Sequence, residues 1–172
     1  MKKVTSTLLI LTLLASVVFG MTGCKKSALK GWYNDALQFY GDGIRYGFKE
    51  EPTNYVVSGV LKDKSYKKGY LLQDLDGDGV EELLIGIIDD NAYTRFTSVI
   101  VYHSDLGPYC LLSGGENAYI YLCASGVLMM DPNPPFEPDP SYRKFDSKSN
   151  AFTMVDGQGK YLPMKWELTE FI

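Results

Sequence analysis

Apolar positions change their period twice along this chain, and each change marks a different kind of segment. Residues 8–19 form an apolar run interrupted only by Thr12 and Ser16. Across residues 28–40 the apolar positions Leu29, Trp32, Tyr33, Ala36, Leu37 and Tyr40 recur every three or four residues, the spacing of one helix face turned to a core. Gly41-Asp42-Gly43 is expected to stop that helix, with Trp32 among its core residues. Ile44, Tyr46 and Phe48 then continue as an irregular or strand-like stretch up to the turn at Glu50-Glu51-Pro52. From there the period shortens to that of strands.

Residues 70–73, 82–88, 96–102, 109–112, 119–123, 127–130, 142–145, 151–155 and 164–168 are short, rich in β-branched or aromatic side chains, and separated by turn residues. Short connections favour antiparallel neighbours. Leu83-Leu84-Ile85-Gly86-Ile87-Ile88 is apolar at odd and even positions alike, which places it at the centre of a sheet covered on both faces. Between Asp131 and Pro140 five prolines in ten residues forbid a regular ladder and favour a stiff extended connector. The expected fold is α+β: an N-terminal helix packed on a mostly antiparallel β-meander sheet. No propeller or solenoid period is found.

The first segment has the build of an export signal. Lys2 and Lys3 precede an apolar run shorter than the roughly 18–20 residues that span a bilayer, and Met21-Thr22-Gly23-Cys24 closes it. This ending resembles the bacterial lipobox, in which a bulky apolar residue, a small or hydroxylated residue and Gly or Ala precede the Cys; Met21 stands where Leu is usual. The resemblance implies a signal peptide over residues 1–23, cleavage before Cys24, and a diacylglyceryl thioether on that residue, with palmitate-length chains worth on the order of 20 kcal/mol in the membrane. The expected location is the bacterial cell envelope, on the non-cytoplasmic side of a membrane. Removing 23 of the 172 residues leaves 149: a short tether, residues 24–28, and one domain, residues 29–172. Lys25 and Lys26 either touch anionic headgroups, at about 1 kcal/mol each, or form a solvated arm. Losing Lys2 and Lys3 takes the formal charge from −4 to −6. No basic cluster suited to phosphates remains beyond Lys62, Lys64, Lys67 and Lys68, so nucleic acid is excluded as a partner.

The candidate chemistry is concentrated in one acidic loop. Asp74-Leu75-Asp76-Gly77-Asp78-Gly79-Val80-Glu81-Glu82 places carboxylates at alternate positions, where a tightly curled loop converges them on a hard cation. Asp74, Asp76 and Asp78, the Val80 carbonyl, and Glu82 directly or through water are the expected metal ligands, and Ca²⁺ the expected ion. Ile85 stands where an EF-hand loop carries its bidentate Glu, so the loop is not a full EF-hand. The alternative is that these aspartates only build Asx-turns. The loop resembles calcium loops of the integrin-type repeat, and residues 70–86 look like a segment of uncharacterised bacterial surface lipoproteins: strand, Asp-x-Asp-Gly-Asp-Gly turn, Glu-Leu, apolar strand. Val99-Ile100-Val101-Tyr102 and Ser125-Gly126-Val127-Leu128 are similar to later parts of that pattern. The resemblance implies a fold and Ca²⁺ but no activity.

Two cysteines remain after Cys24. A hairpin centred on residues 113–117 would set Cys110 opposite Cys123 and permit a disulfide; the alternative is two small buried hydrophobes. His103, the lone histidine, ends a strand and has no nucleophile marked nearby. Glu81 with Glu82, and Asp89 with Asp90, are adjacent and point to opposite strand faces, which rules each out as an acid/base pair. The expected function is therefore a non-catalytic surface lipoprotein domain with a structural Ca²⁺ loop that binds another envelope protein or a glycan, with a small membrane-tethered hydrolase as the second reading.

Overall fold

The structure, a computed structural model, describes residues 31–49, 54–114, 118–132, 139–157 and 159–172. The lipobox with Cys24, Lys25 and Lys26, the first helix positions including Leu29, and most of the proline-rich connector lie outside the described residues. Among the described residues, a helix, α1 (Asn34–Tyr46), and a single turn, α2 (Gly59–Lys62), precede the strands β1 (Lys67–Gln73), β2 (Glu82–Ile88), β3 (Arg95–His103), β4 (Gly107–Ser113), β5 (Ala118–Leu122), β6 (Leu128–Pro132), β7 (Ser141–Asp146), β8 (Ala151–Val155) and β9 (Thr169–Glu170). They form one antiparallel sheet in the order β8-β7-β6-β5-β3-β2-β1-β9, with β4 also paired to β3. The fold is thus mostly antiparallel sheet with a small helical part. β3, paired with β2 on one edge and with β4 and β5 on the other, lies at the centre in place of β2. β2 is its interior neighbour, between β3 and β1, and Leu83, Leu84, Ile85 and Ile87 are all buried.

Because β2 is apolar on both faces, each face needs its own cover. On one side Tyr33, Ala36 and Tyr40, one stripe at the start and along α1, pack with Leu61 against Leu83, Ile85 and Ile100. The Tyr40 hydroxyl donates to the Val56 carbonyl at 2.9 Å, which keeps that phenol satisfied in the core. The helix does not stop at Gly41-Asp42-Gly43 as expected; it runs to Tyr46 and ends on Gly47 at φ 93°. Gly43 is there for space, since a Cβ at this position would lie 2.2 Å from the Phe48 ring folded back onto the helix. Trp32 also departs from the expected core role. It is 40% exposed and stacks on Tyr102 at the end of β3.

The other face is covered by the sheet itself. Leu84, Val99 and Val101 from the first half pack with Ile120, Leu122, Leu128 and Phe145 from β5, β6 and β7, so the second half folds back across the first. Two bulges adjust the strands to this. Ile85 lies opposite Ser98 but Gly86 opposite Phe96, leaving Thr97 as the extra residue and bringing Phe96 to the face of Val99. Leu111 is likewise extra in β4, where Val99 pairs with Leu112 and Ile100 with Cys110.

Cys110 and Cys123 do not face each other across a hairpin. β4 and β5 do not pair with each other; both run antiparallel to β3, one after the other, as an interrupted single path along its edge. Cys110 consequently packs in the helix-side core and Cys123 in a separate cluster with Val127 and Tyr142, and both thiols are free. Burial pushes each thiol above its ordinary range, the environment of an inert thiol.

Residues 164–168 form no strand. The Trp166 backbone N–H donates to Thr94 Oγ1 at 2.7 Å and its indole N–H to the Leu122 carbonyl at 2.9 Å, so the segment crosses the sheet instead of extending a ladder. Only Thr169 and Glu170 then pair, with Tyr70 and Gly69. The crossing is tied down where Lys165 Nζ donates to the carbonyls of Asp89 (2.5 Å) and Asn91 (3.0 Å). Arg95 pairs with the Asp89 carboxylate and lies over the Tyr119 ring at 5.0 Å. Burial alone would raise the Asp89 carboxyl, but hydrogen bonds from Arg95 and Asn91 outweigh it and hold the group below its usual range. A depressed carboxylate stabilises the fold above its unfolded pKa and loses that contribution as pH falls through the folded value. Asp89→Asn is therefore expected to cost about 2 kcal/mol at pH 7, with the gap to wild type narrowing below about pH 4. Urea unfolding at both pH values measures it, and a pH-independent gap would contradict the ion-pair account.

Candidate metal centre

The acidic loop joins β1 to β2, an antiparallel pair in unbroken register from Lys67↔Ile88 to Gln73↔Glu82. Gly77 and Gly79 take φ of 84° and 88°, a region that glycine enters without strain, and the loop curls at these two points. One carboxylate oxygen from each of Asp74, Asp76 and Asp78 then lies within 4.8 Å of the others. This group can hold a metal ion. The loop's own amides fix the side chains: Asp74 Oδ1 and Oδ2 accept from the N–H groups of Gly77 (2.7 Å) and Gly79 (2.9 Å), Asp76 Oδ1 from Asp78 (3.2 Å), and Asp78 Oδ1 from Val80 (2.7 Å). The Asx-turn reading and the convergent-carboxylate reading thus describe the same loop.

Two contacts from distant sequence hold the loop against the folded-back half of the sheet. The Ser147 N–H, in the β7–β8 turn, donates to Asp76 Oδ2 at 2.8 Å. Partial burial would raise the Asp76 carboxyl, but the Ser147 hydrogen bonds and the Asp78 N–H prevail and keep it low, as its ionised form requires. The β5–β6 turn presses on the same loop at Leu75: a Cβ on Gly126 would sit 2.3 Å from the Leu75 carbonyl oxygen. A shallow cavity of about 460 Å³, lined by Asp76, Asp78, Lys144, Asp146, Ser147 and Lys148 among others, opens beside the loop. Nothing in the spacing of residues 74–82 signals Ser147 or Gly126, because their approach follows from the sheet folding over.

Of the four expected carboxylate ligands, Asp74, Asp76 and Asp78 are brought together. Val80 contributes its N–H to Asp78, as above. Glu82 takes a different place: it is 3% exposed, and its Oε2 accepts the Leu75 N–H at 2.9 Å. Burial pushes its carboxyl up to about 8; the Leu75 N–H opposes this, and the charges of Asp76, Asp78 and Asp74 add to it. A raised carboxyl binds its proton more tightly in the folded than in the unfolded chain, so without metal the domain loses stability as pH rises from about 4.5 to about 8. Glu82→Gln keeps an acceptor for Leu75 and removes the charge. In a chelator, the variant is expected to be more stable than wild type at pH 8.5 and to lack most of the decline; thermal melts at pH 5 and 8.5 test this, and an unchanged slope would contradict it.

His103 ends β3 opposite Gly107, and its Nδ1 accepts the Asp105 N–H at 3.2 Å within the β3–β4 turn. That is a turn-building contact. No family model matches the chain, and no curated protein or solved structure matches it.

Proposed function

We propose that this chain is a membrane-anchored surface lipoprotein of the bacterial envelope, lipidated at Cys24, with a non-catalytic domain that binds another envelope protein or a glycan. Ca²⁺ held by Asp74, Asp76 and Asp78 clamps its fold. The observation that carries the Ca²⁺ clamp is the convergence of the three carboxylates where the β7–β8 turn meets the loop. An oxygen-only donor set on a flexible loop suits a hard cation and, with several ligand positions left to carbonyls and water, favours Ca²⁺ over the smaller and more exacting Mg²⁺. Three carboxylates so close repel by on the order of 1 kcal/mol per pair even in water, and the cation reverses the sign of that term. The ion's role is structural, since Asp76 links the loop to Ser147 and thereby one half of the sheet to the other. The Val80 carbonyl and water are the ligands that would complete the shell, while Glu82, held by the Leu75 N–H, would add its charge from beside it or through a water. The His103 contact inside its turn supports the non-catalytic reading.

Ca²⁺ binds the folded chain and so stabilises it by mass action: at about fifty times its Kd the gain is about 2 kcal/mol, several degrees in Tm. Calorimetry with and without Ca²⁺ is expected to show this rise in wild type and to lose it in Asp76→Asn with Asp78→Asn. An equal rise in the double variant would overturn the clamp. For the anchor, Cys24→Ser is expected to release the protein from membranes or leave an unprocessed precursor. A processed, membrane-bound variant in detergent partitioning contradicts lipidation there.

A further inference from the structure

The largest exposed aromatic side chain at the start of the described domain lies at the end of α1 nearest the anchor. Trp32 and Tyr102 stack with ring centroids 4.8 Å apart and 22° between planes, yet remain 40% and 36% exposed. Leu106, in the β3–β4 turn that follows Tyr102, is 63% exposed. A Trp and a Tyr that satisfy each other's faces but keep their edges in water are suited to a boundary between apolar and polar media. The length of chain between Cys24 and Trp32 says which boundary. Eight residues reach at most about 28 Å even when fully extended, whereas the Tyr46 end of α1 lies about 20 Å farther along the helix axis.

We infer that Trp32, Tyr102 and Leu106 form a membrane-contact face that seats the domain on the lipid surface beside its own anchor; the inference rests on lipidation of Cys24. Insertion of the Trp32 and Tyr102 edges among headgroups and of Leu106 toward the acyl chains would orient the sheet with its β3–β4 end down. The antiparallel registers bring the acidic β1–β2 loop, with Asp74, Asp76, Asp78 and Glu81, to this same end of the sheet, since Gln73 pairs with Glu82 and Leu83 with Ile100. A zwitterionic surface is therefore the matching one.

The test uses the full mature protein, its lipidation at Cys24 checked by intact mass, reconstituted in phosphatidylcholine vesicles with and without bromine on the upper acyl chain. Bromolipid is expected to quench part of the tryptophan emission in wild type, and that part is expected to vanish in Trp32→Phe, which keeps a ring on Tyr102 and leaves Trp166 as the remaining fluorophore. Lipidated, vesicle-bound wild type whose emission is unchanged by bromolipid would overturn the contact face and leave the anchor standing. A mature protein without lipid on Cys24 would overturn the anchor and the face with it. Quenching that persists undiminished in Trp32→Phe would also overturn the assignment, because the lipid contact would then lie at Trp166.

Discussion

A strand that is apolar on both faces cannot border water on either, and in this chain that strand is β2. Leu83 and Ile85 demand one cover and Leu84 another, and the molecule supplies two unlike solutions: the tyrosine stripe Tyr33 and Tyr40 on one side, and the folded-back half of its own sheet on the other. Burying these side chains at about 25 cal/mol per Å² of apolar surface is the dominant favourable term in such a fold. The bulges at Thr97 and Leu111 follow, because the second cover requires Phe96 and Leu112 to face it out of simple alternation. So does the crossing of residues 164–168, which adds Trp166 and Leu168 to that core.

The acidic loop inherits its setting from this arrangement. Folding the second half over the first carries the β7–β8 turn to Asp76 and the β5–β6 turn to Leu75. A loop that would otherwise be an exposed hairpin turn becomes a contact between the two halves, and the cost of its crowded charge falls on the whole sheet. Glu82 shows the tension most clearly, since its burial beside three aspartates raises its carboxyl while Leu75 needs it as an acceptor. A cation at this point relieves both strains, which is the physical content of the proposed clamp.

Local features were legible in the sequence. The first eight strands fall where short β-branched and aromatic runs predict them, and the double-sided character of residues 83–88 marks a strand covered on both faces, though it lies beside the central strand and not at the centre. The three aspartates converge as their alternate spacing requires. What the sequence hid were features decided by distant partners. Gly41 and Gly43 look like a helix stop, but Phe48 returns to fill the space that Gly43 leaves. Cys110 and Cys123 look symmetric about a turn, yet β3 is long enough to pair with both flanking segments in succession. Trp32 fits the helical stripe by spacing, and the stripe's edge, not its centre, is where it lies. Ser147 reaches the loop from 71 residues away, beyond any local pattern.

The central claim is that one ion couples the acidic loop to the far half of the sheet, and amide NMR during a Ca²⁺ titration tests it most directly. The Gly77 and Gly79 amides report the loop, and the Ser147 amide reports the β7–β8 turn bonded to Asp76. All three are expected to shift along a single binding curve and to gain protection from hydrogen exchange together. Loop amides that respond while Ser147 keeps its shift and exchange rate would contradict it, for the ion would then order only its own turn.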